Sequence, residues 1–201
     1  MKELFLDKSL IFLKKYNTYS EEEIEKLKYG LEGIYLTITK LAIIFLVSII
    51  LEIFKEVVII LTLFNIIRYF GFGVHAGKSR DCLISSLILF VLLPYIFLKI
   101  NITKNTILIM GLINIVIYLL FAPADTIKRP FFNKKKRIIR KFITILIGIL
   151  YLVISLMIDN YKVSVMLCIA MLIQSIVVCP ISYMLLGQPY NNYKKEKREE
   201  V

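Results

Sequence analysis

The chain has 201 residues, of which 58% are hydrophobic, and its formal net charge is +11. Soluble domains are about 45–50% apolar, whereas the apolar residues here fall into blocks of about 17–24, long enough to cross a hydrocarbon core about 30 Å thick. The composition excludes an ordinary soluble domain and predicts an all-α polytopic integral membrane protein, with a single membrane domain over residues 1–201. Because Lys and Arg first set the topology of such a protein, the positive charge does not indicate nucleic-acid binding.

The N-terminal segment combines charges of both signs with an amphipathic pattern. Over residues 3–16, Leu6, Leu10 and Leu13 share one helical face, which predicts a helix that lies in the membrane interface or packs against the protein itself. The first 33 residues contain no apolar core that ends in small residues, so we expect no cleaved signal peptide. The sequence Ser20-Glu-Glu-Glu23 matches a capping box and predicts the start of a helix that leads into the first span.

Six apolar blocks predict about six transmembrane helices. The second block is short and carries Asn65 and Arg68, so it spans the bilayer or forms a tilted or re-entrant segment. Pro94 interrupts the third block. The predicted spans cover residues 34–53, 55–71, 82–99, 105–122, 142–158 and 163–186, and residues 187–201 are predicted to form a charged cytoplasmic tail.

The Lys and Arg residues outside these blocks are concentrated in four segments. These are the N-terminal segment, the second loop, the fourth loop and the C-terminal tail, which all fall on one side of six spans. The positive-inside rule places that side in the cytoplasm. We therefore expect a multi-pass protein of the cell membrane, in contact with lipids, whose termini and second loop face the cytoplasm, where thiols stay reduced.

The second loop concentrates residues that can carry chemistry. It reads Arg68-Tyr-Phe-Gly-Phe-Gly-Val-His-Ala-Gly-Lys-Ser-Arg-Asp-Cys82 and contains the only histidine, His75, and one of the three cysteines. A thiolate attacks carbonyl carbon, but it needs a base or a positive field nearby. Ser79 is a suitable N-cap for the third span and would place Cys82 at the third helical position. The N–H groups and positive dipole end there favour a thiolate and can hold an oxyanion, and His75 would act as base and later as acid.

The separation of seven residues between His75 and Cys82 tests this hypothesis. On one continuous helix the two residues would lie about 10.5 Å apart along the axis, which is too far for a hydrogen bond. A dyad therefore requires the chain to reverse between them, and Gly71, Gly73 and Gly77 permit such a reversal. At this point three other interpretations stay open: an interfacial structural histidine, a cysteine that packs as a small hydrophobe, and an ordinary turn.

The remaining cysteines do not suggest chemistry. Cys168 and Cys179 have apolar neighbours and no His or acid nearby in sequence, so we interpret both as packing residues. Three cysteines do not make a paired disulfide framework. No CxxC motif or Cys/His cluster indicates zinc, and we expect neither a metal nor a cofactor.

The fourth loop is strongly basic. It includes Lys128 and Arg129 and continues through Lys134 to Lys141. Such a stretch serves as a topology signal, as a contact for anionic lipids or as a recruitment site for an acidic peptide.

At these residues the chain resembles the AgrB family, that is, accessory gene regulator protein B, the membrane endopeptidases of Gram-positive quorum sensing. Two blocks carry the resemblance, and the span order and length agree with it over nearly the whole chain. In the second loop, family members often have a more polar sequence before the histidine than Phe70-Gly-Phe-Gly73. The blocks are Arg68, Gly73-Val-His75-Ala76 and Cys82 with the apolar run to Pro94, and Phe121-Ala-Pro-Ala-Asp-Thr126 with Lys128-Arg129-Pro130 and the basic cluster.

The resemblance implies a cysteine peptidase whose partner is an AgrD-like precursor peptide with an amphipathic helix, a central signal sequence and an acidic C-terminal tail. Cys82 would attack the bond before the tail with the help of His75. The peptide would then be held as a thioester until one of its own Cys or Ser side chains closes a thiolactone or lactone ring.

The resemblance also implies supporting roles for further residues. Arg68 matches the family's arginine, which would support the thiolate or bind a carboxylate; the structural alternative is an arginine that marks the cytoplasmic interface. Gly73 matches a glycine of the family's motif. Lys134, Lys135 and Lys136 match the basic cluster and would receive the acidic tail. The sequence itself shows no third catalytic residue, and Asn65, Asn114 and Asp125 are the weaker candidates to orient His75.

Two other functions stay open. A membrane transporter or exporter of the finished signal peptide would need intramembrane charges along a path, but only Lys40 and Arg68 lie near the spans. A structural or sensory module would use the basic loop to bind lipid or a partner, and Cys82 would then affect no peptide product. The sequence fixes no oligomeric state and leaves a homodimer open.

Overall fold

The computed structural model describes residues 2–15, 19–126 and 133–192. Within these ranges the chain is helical without strands, apart from an isolated bridge between Phe72 and Ala124. Five helices (α2, α4, α5, α6 and α7) are long and apolar enough to cross a membrane, so the predicted all-α polytopic membrane fold is confirmed. The helices are α1 (Lys2–Lys14), α2 (Glu21–Ile50), α3 (Phe54–Gly71), α4 (Ser79–Lys99), α5 (Lys104–Phe121), α6 (Lys134–Met157), α7 (Tyr161–Val178) and α8 (Pro180–Leu185).

Helix α3 coincides with the second predicted span but is not one of those five. It has 18 residues and includes three charged ones, Lys55, Glu56 and Arg68. The Glu56 carboxylate accepts a hydrogen bond from Lys162 at 3.2 Å, which ties its start to α7. Its buried face has helical spacing and consists of Val57, Ile60, Phe64 and Ile67.

Helix α7 is the centre of the bundle. Of its apolar window 72% is buried, against 11–28% in the other four candidate spans. A helix that is buried on all sides must be surrounded by other helices, and α7 packs against α3, α5 and α6 and the end of α4. Its backbone also binds a neighbour's polar group, because the buried Tyr118 hydroxyl of α5 donates to the Met171 carbonyl at 2.7 Å.

Two prolines modify the predicted spans. Pro94 has no N–H and cannot donate the usual helical hydrogen bond. The preceding segment Ile88–Leu92 is π-helical, and the Leu93 N–H donates to the Ile88 carbonyl. This wider turn lets α4 continue past the proline. Pro180 forces Cys179 into an extended conformation (φ −67°, ψ 135°). Helix α7 therefore ends at Val178, and the rest of the sixth predicted span contains α8 as a separate short helix.

The chain divides into two compact units, one up to Val47 and one from Ser48 on. In the first unit α1 packs on α2, since the Lys2 ammonium donates to Glu32 at 2.7 Å and the Phe5 and Tyr35 rings lie 5.4 Å apart. Of the predicted apolar face of α1, Leu6 is buried, and Leu10 and Leu13 are half-buried. The exposed Leu4 on the same helix is 60% accessible.

The predicted capping box starts α2. The Glu23 N–H donates to the Ser20 hydroxyl at 3.3 Å, and the Ser20 N–H donates to the Glu23 carboxylate at 2.9 Å. These reciprocal bonds satisfy two N–H groups that the first helical turn leaves unpaired.

Candidate functional site

The second loop breaks the helical chain where the glycines predict it. Helix α3 ends at Gly71, α4 begins at Ser79, and residues 72–78 between them are not helical. Phe72 has φ +52° and Gly73 has φ +129°. Residues other than glycine rarely adopt such positive φ values. The helix break that a dyad requires is therefore present, and His75 and Cys82 do not lie on one helix.

Backbone hydrogen bonds hold this loop between two other elements. The Gly73 N–H donates to the Ala124 carbonyl at 3.0 Å, and the Ala124 N–H donates to the Gly71 carbonyl at 3.0 Å. The Val74 N–H donates to the Val177 carbonyl in the last turn of α7 at 2.8 Å. The glycine-rich block and the Phe121–Thr126 block, about 50 residues apart in sequence, thus form one structural unit.

The glycines allow the loop to approach α7 closely. A Cβ atom on Gly73 would lie 2.8 Å from the Val177 carbonyl oxygen, and one on Gly71 would lie 2.6 Å from the Gln174 Nε2 atom. Gln174 is fully buried and donates from Nε2 to the Phe72 carbonyl at 2.9 Å. The sequence analysis did not single out Gln174, although polar residues are rare within membrane spans.

Arg68 links the loop to Cys82. Its Nη2 atom donates to the Val74 carbonyl at 3.1 Å, and its guanidinium lies 5.4 Å from the centroid of the Phe64 ring. The half-buried guanidinium is also within electrostatic range of Cys82. Arg68 is therefore bound to the loop and lies within electrostatic range of the candidate nucleophile.

The predicted N-cap at Ser79 is wrong. Lys78 occupies the N-cap position with an extended backbone and no side-chain cap, and Ser79 is the first helical residue. The half-buried Cys82 is therefore the fourth helical residue, and its own N–H donates to the Lys78 carbonyl at 3.1 Å. The N–H groups of the first turn that have no partner within the helix are those of residues 79–81.

His75 is exposed and follows Val74 directly. Of the residues considered to orient it, Asn65 donates within its own helix to the Leu61 carbonyl at 2.8 Å, and Asn114 is buried in α5. The buried Asp125 accepts from the Asn192 N–H at 3.1 Å. Asp125 is thus the one of the three that lies in the block bound to the loop.

The segment after α8 supports the same region. The buried Tyr183 hydroxyl donates to the Asp125 carbonyl at 2.7 Å, and Gln188 Nε2 lies 2.8 Å from the position of a Cβ on Gly77. Burial raises the pKa of Tyr183 above its ordinary value, so the phenol stays protonated and keeps this hydrogen bond. The predicted tail thus begins with residues that pack beside the loop, whereas residues 193–201 lie outside the described residues.

The basic cluster occupies the first turn of α6. Lys134, Lys135 and Lys136 are all exposed, and the Asn133 side chain caps the helix by accepting from the Lys136 N–H at 3.1 Å. A helix N-terminus attracts anions through its free N–H groups and its dipole, and the three ammonium groups strengthen that field. The Lys128-Arg129-Pro130 part of the predicted basic loop lies outside the described residues.

The other two cysteines are placed as packing residues. Cys168 is buried in the core around α7, and Cys179 lies at the bend before Pro180. The arrangement around Cys82 is different, because a half-buried thiol lies near a guanidinium and next to a loop that carries the histidine. These groups provide what acyl transfer to a thiol needs: a nucleophile, a positive field and a proton carrier.

Comparison with known proteins agrees with this arrangement of sequence blocks. The family model described as Accessory gene regulator B matches residues 7–178. An AgrB-like protein of Clostridium acetobutylicum is 36% identical over 178 residues, which cover 88% of this chain and 84% of the relative. An AgrB-like protein of Listeria welshimeri is 35% identical, with 87% and 86% covered.

A further relative is more distant but matches over a similar length. Accessory gene regulator protein B of Staphylococcus aureus is 28% identical over 179 residues, with 89% of this chain and 94% of the relative covered. No solved structure matches the chain. The chain is thus a multi-pass membrane protein that belongs to the accessory gene regulator B family.

Proposed function

We propose that this protein is a membrane cysteine endopeptidase that removes the acidic C-terminal tail of a small AgrD-like precursor and promotes its cyclisation. The observation that supports the proposal is the helix break at residues 72–78, with His75 on an anchored loop, Cys82 in the first turn of the next helix and Arg68 within electrostatic range of Cys82. Membership of the accessory gene regulator B family supports a role in peptide processing.

The first step is an acyl transfer to Cys82. The Cys82 thiol gives its proton to His75, and the sulfur attacks the carbonyl carbon of the peptide bond before the tail. The C–N bond breaks, His75 returns the proton to the departing amine, and the peptide is held as a thioester. The Arg68 guanidinium stabilises the thiolate through its positive field, and the N–H groups of residues 79–81 are the candidate donors to the oxyanion.

The second step closes the ring. A Cys or Ser side chain of the bound peptide attacks the thioester carbonyl, His75 takes the proton of that nucleophile, and the Cys82 sulfur leaves and is protonated again. The reaction exchanges one acyl bond for another, so it needs no oxidant and no ATP. Hydrolysis would waste the thioester, so partial exclusion of water favours cyclisation.

The exposed cluster of Lys134, Lys135 and Lys136 is proposed to receive the acidic tail. Three cations at a helix N-terminus produce a field that attracts a negatively charged segment and raises its association rate. This attraction weakens as salt screens it.

The alternative function, a transporter of the finished peptide, predicts charged side chains along a path through the bundle. In the part of the chain that the structure describes, the buried polar side chains of helices α5 to α7 are neutral. They are Asn114, Thr144, Ser155, Ser164, Gln174 and Ser175. These residues do not favour transport over peptide cleavage.

The decisive experiment uses the full-length protein in liposomes together with a precursor peptide. That peptide is the product of a short reading frame next to the gene, and it has a central Cys or Ser and an acidic C-terminal tail. Mass spectrometry of the wild-type reaction is expected to show tail release and an acyl adduct on Cys82. Cys82→Ala is expected to insert normally and to give neither product, whereas Cys179→Ala serves as the matched thiol control and keeps both. Tail removal by purified Cys82→Ala would refute the assignment of the nucleophile.

A further inference from the structure

Phe72, three residues before His75, is held at two points. Its carbonyl accepts a hydrogen bond from Gln174 at 2.9 Å, and the Arg140 guanidinium lies 4.7 Å from the centroid of its ring. Its φ of +52° is unusual for a residue with a bulky side chain. Because such a conformation persists only when its surroundings enforce it, these two contacts help to fix the first bend of the loop.

Arg140 also contacts the end of α3 from which the loop departs. Its Nη1 atom donates to the Tyr69 carbonyl at 3.0 Å, where a cation is favourable because the C-terminal end of a helix is negative. One turn further along α6, the Thr144 methyl lies 3.1 Å from the position of a Cβ on Gly71. Helix α6 thus touches the start of the His75 loop at two successive turns.

The same helix carries the basic cluster at its N-terminus. Lys136 precedes Arg140 by four residues, which is about 6 Å along the helix axis. A helix moves as a rigid element over so short a distance, so a shift of its first turn is passed to Arg140. The Arg140–Phe72 contact then connects the cluster to the loop.

We propose that Arg140 is a positioning residue that couples the binding of an acidic peptide at Lys134, Lys135 and Lys136 to the geometry of the loop that carries His75. The inference rests on the proposed function, since it assigns a consequence to recruitment of the acidic tail. An anionic segment bound to the first turn of α6 changes the position of that helix, and Arg140 transmits the change to Phe72. The site thereby becomes competent when the correct substrate is bound.

The test measures the accessibility of Cys82 without any turnover. A synthetic peptide of Asp and Glu residues, which has no bond to be cleaved, is added to the protein in liposomes. The rate of iodoacetamide modification at Cys82 is then followed by residue-resolved mass spectrometry, and peptide binding is measured separately by fluorescence anisotropy. Since allosteric couplings are typically about 5-fold or more, the acidic peptide is expected to change the wild-type rate by at least about that factor.

Three variants isolate the contact. Arg140→Gln is expected to bind the acidic peptide as tightly as a variant that loses one charge at the neighbouring position, because the exposed cluster is intact, but the peptide is expected to leave its Cys82 modification rate unchanged. Phe72→Leu is expected to lose the response in the same way, which provides a second test if Arg140→Gln folds poorly. Lys141→Gln, the matched control, removes one charge from the neighbouring position and is expected to respond like wild type.

The outcomes separate this inference from the proposed function. A wild-type response in both Arg140→Gln and Phe72→Leu overturns the coupling, as does a wild-type protein that binds the acidic peptide without any change at Cys82. If the coupling is observed but the wild-type protein does not cleave the precursor, the proposed function fails and the coupling stands.

Discussion

The N–H of Val74 donates to the carbonyl of Val177 at 2.8 Å, so the residue before His75 is bound directly to the last turn of the central helix. Gly73 lies against the same carbonyl. The position of the candidate base is thus set by α7, a helix about 100 residues further along the chain. Variants that disturb this contact should affect activity through the loop, although they touch no reacting atom.

Gly73→Ala is expected to reduce both stability and activity. Its φ of +129° and the 2.8 Å approach to Val177 leave no room for a Cβ atom, and strain of this kind costs about 1–3 kcal/mol. Thermal unfolding in detergent should show a lower Tm, and precursor cleavage should fall.

Gly33→Ala is the matched control for that change. Nothing lies within 4 Å of a Cβ atom at Gly33 in α2, and replacing a helical glycine by alanine stabilises by about 0.5–1 kcal/mol. Equal Tm values for Gly73→Ala and wild type would contradict the close contact with Val177.

Gln174→Leu is expected to lower kcat. The substitution leaves the Phe72 carbonyl without its 2.9 Å donor, and an unsatisfied buried group costs about 1–3 kcal/mol. Because that carbonyl belongs to the bend before His75, the loss should appear in the chemical step more than in KM. Assays of tail release that are quenched at a series of times and precursor concentrations give both kcat and KM.

Met171→Leu, one turn earlier on α7, is the control for Gln174→Leu. Met171 is also buried, but the exchange conserves volume and costs less than about 1.5 kcal/mol. If the two variants lost kcat equally, general disturbance of α7 would explain the result and the Phe72 hydrogen bond would not.

The sequence allowed part of this site to be predicted. The spacing of His75 and Cys82 required a break in the helix, the glycines indicated where the break occurs, and Ser20 and Glu23 identified the start of α2. Such features are local, because the residues that indicate the helix break or the helix start lie in the same stretch of chain as that break or start. Ser79 was misassigned as the N-cap because the extended backbone at Lys78 begins the helix without using a side-chain oxygen.

The surroundings of the loop were not predictable in the same way. Ala124, Gln174 and Val177 reach it through contacts over about 50 to 100 residues of chain, and nothing in a single apolar segment indicates its neighbours. Gln174 looked like one polar residue in a span, and Arg140 looked like part of a basic run. Only packing shows that each of them contacts the loop.

His75→Ala is expected to reduce kcat by about 10²–10⁴-fold, the usual contribution of a general acid–base group. The side chain is exposed, so the helical content of the variant should persist. Lys78→Ala changes another exposed residue of the same loop and should retain activity. A comparable loss in Lys78→Ala would indicate that the loop is sensitive to any change.

Replacing Lys134, Lys135 and Lys136 together by Gln is expected to raise KM for the precursor by about 10-fold or more, with a smaller effect on kcat. The three ammonium groups are exposed at the start of α6, and in the proposed role they act on the approach and binding of an acidic tail and not on bond breaking. For wild type, KM should increase with ionic strength because salt screens this attraction, and the dependence should flatten in the variant.

The control is a triple substitution of equal charge in the N-terminal segment. Lys8, Lys14 and Lys15 are also exposed, and their replacement by Gln removes the same three charges from the N-terminal segment. If attraction by overall positive charge explained recruitment, the two triple variants would raise KM alike. A rise confined to the α6 variant would locate recruitment at the start of that helix, whereas an equal fall of kcat and kcat/KM in that variant would show a role in the transition state.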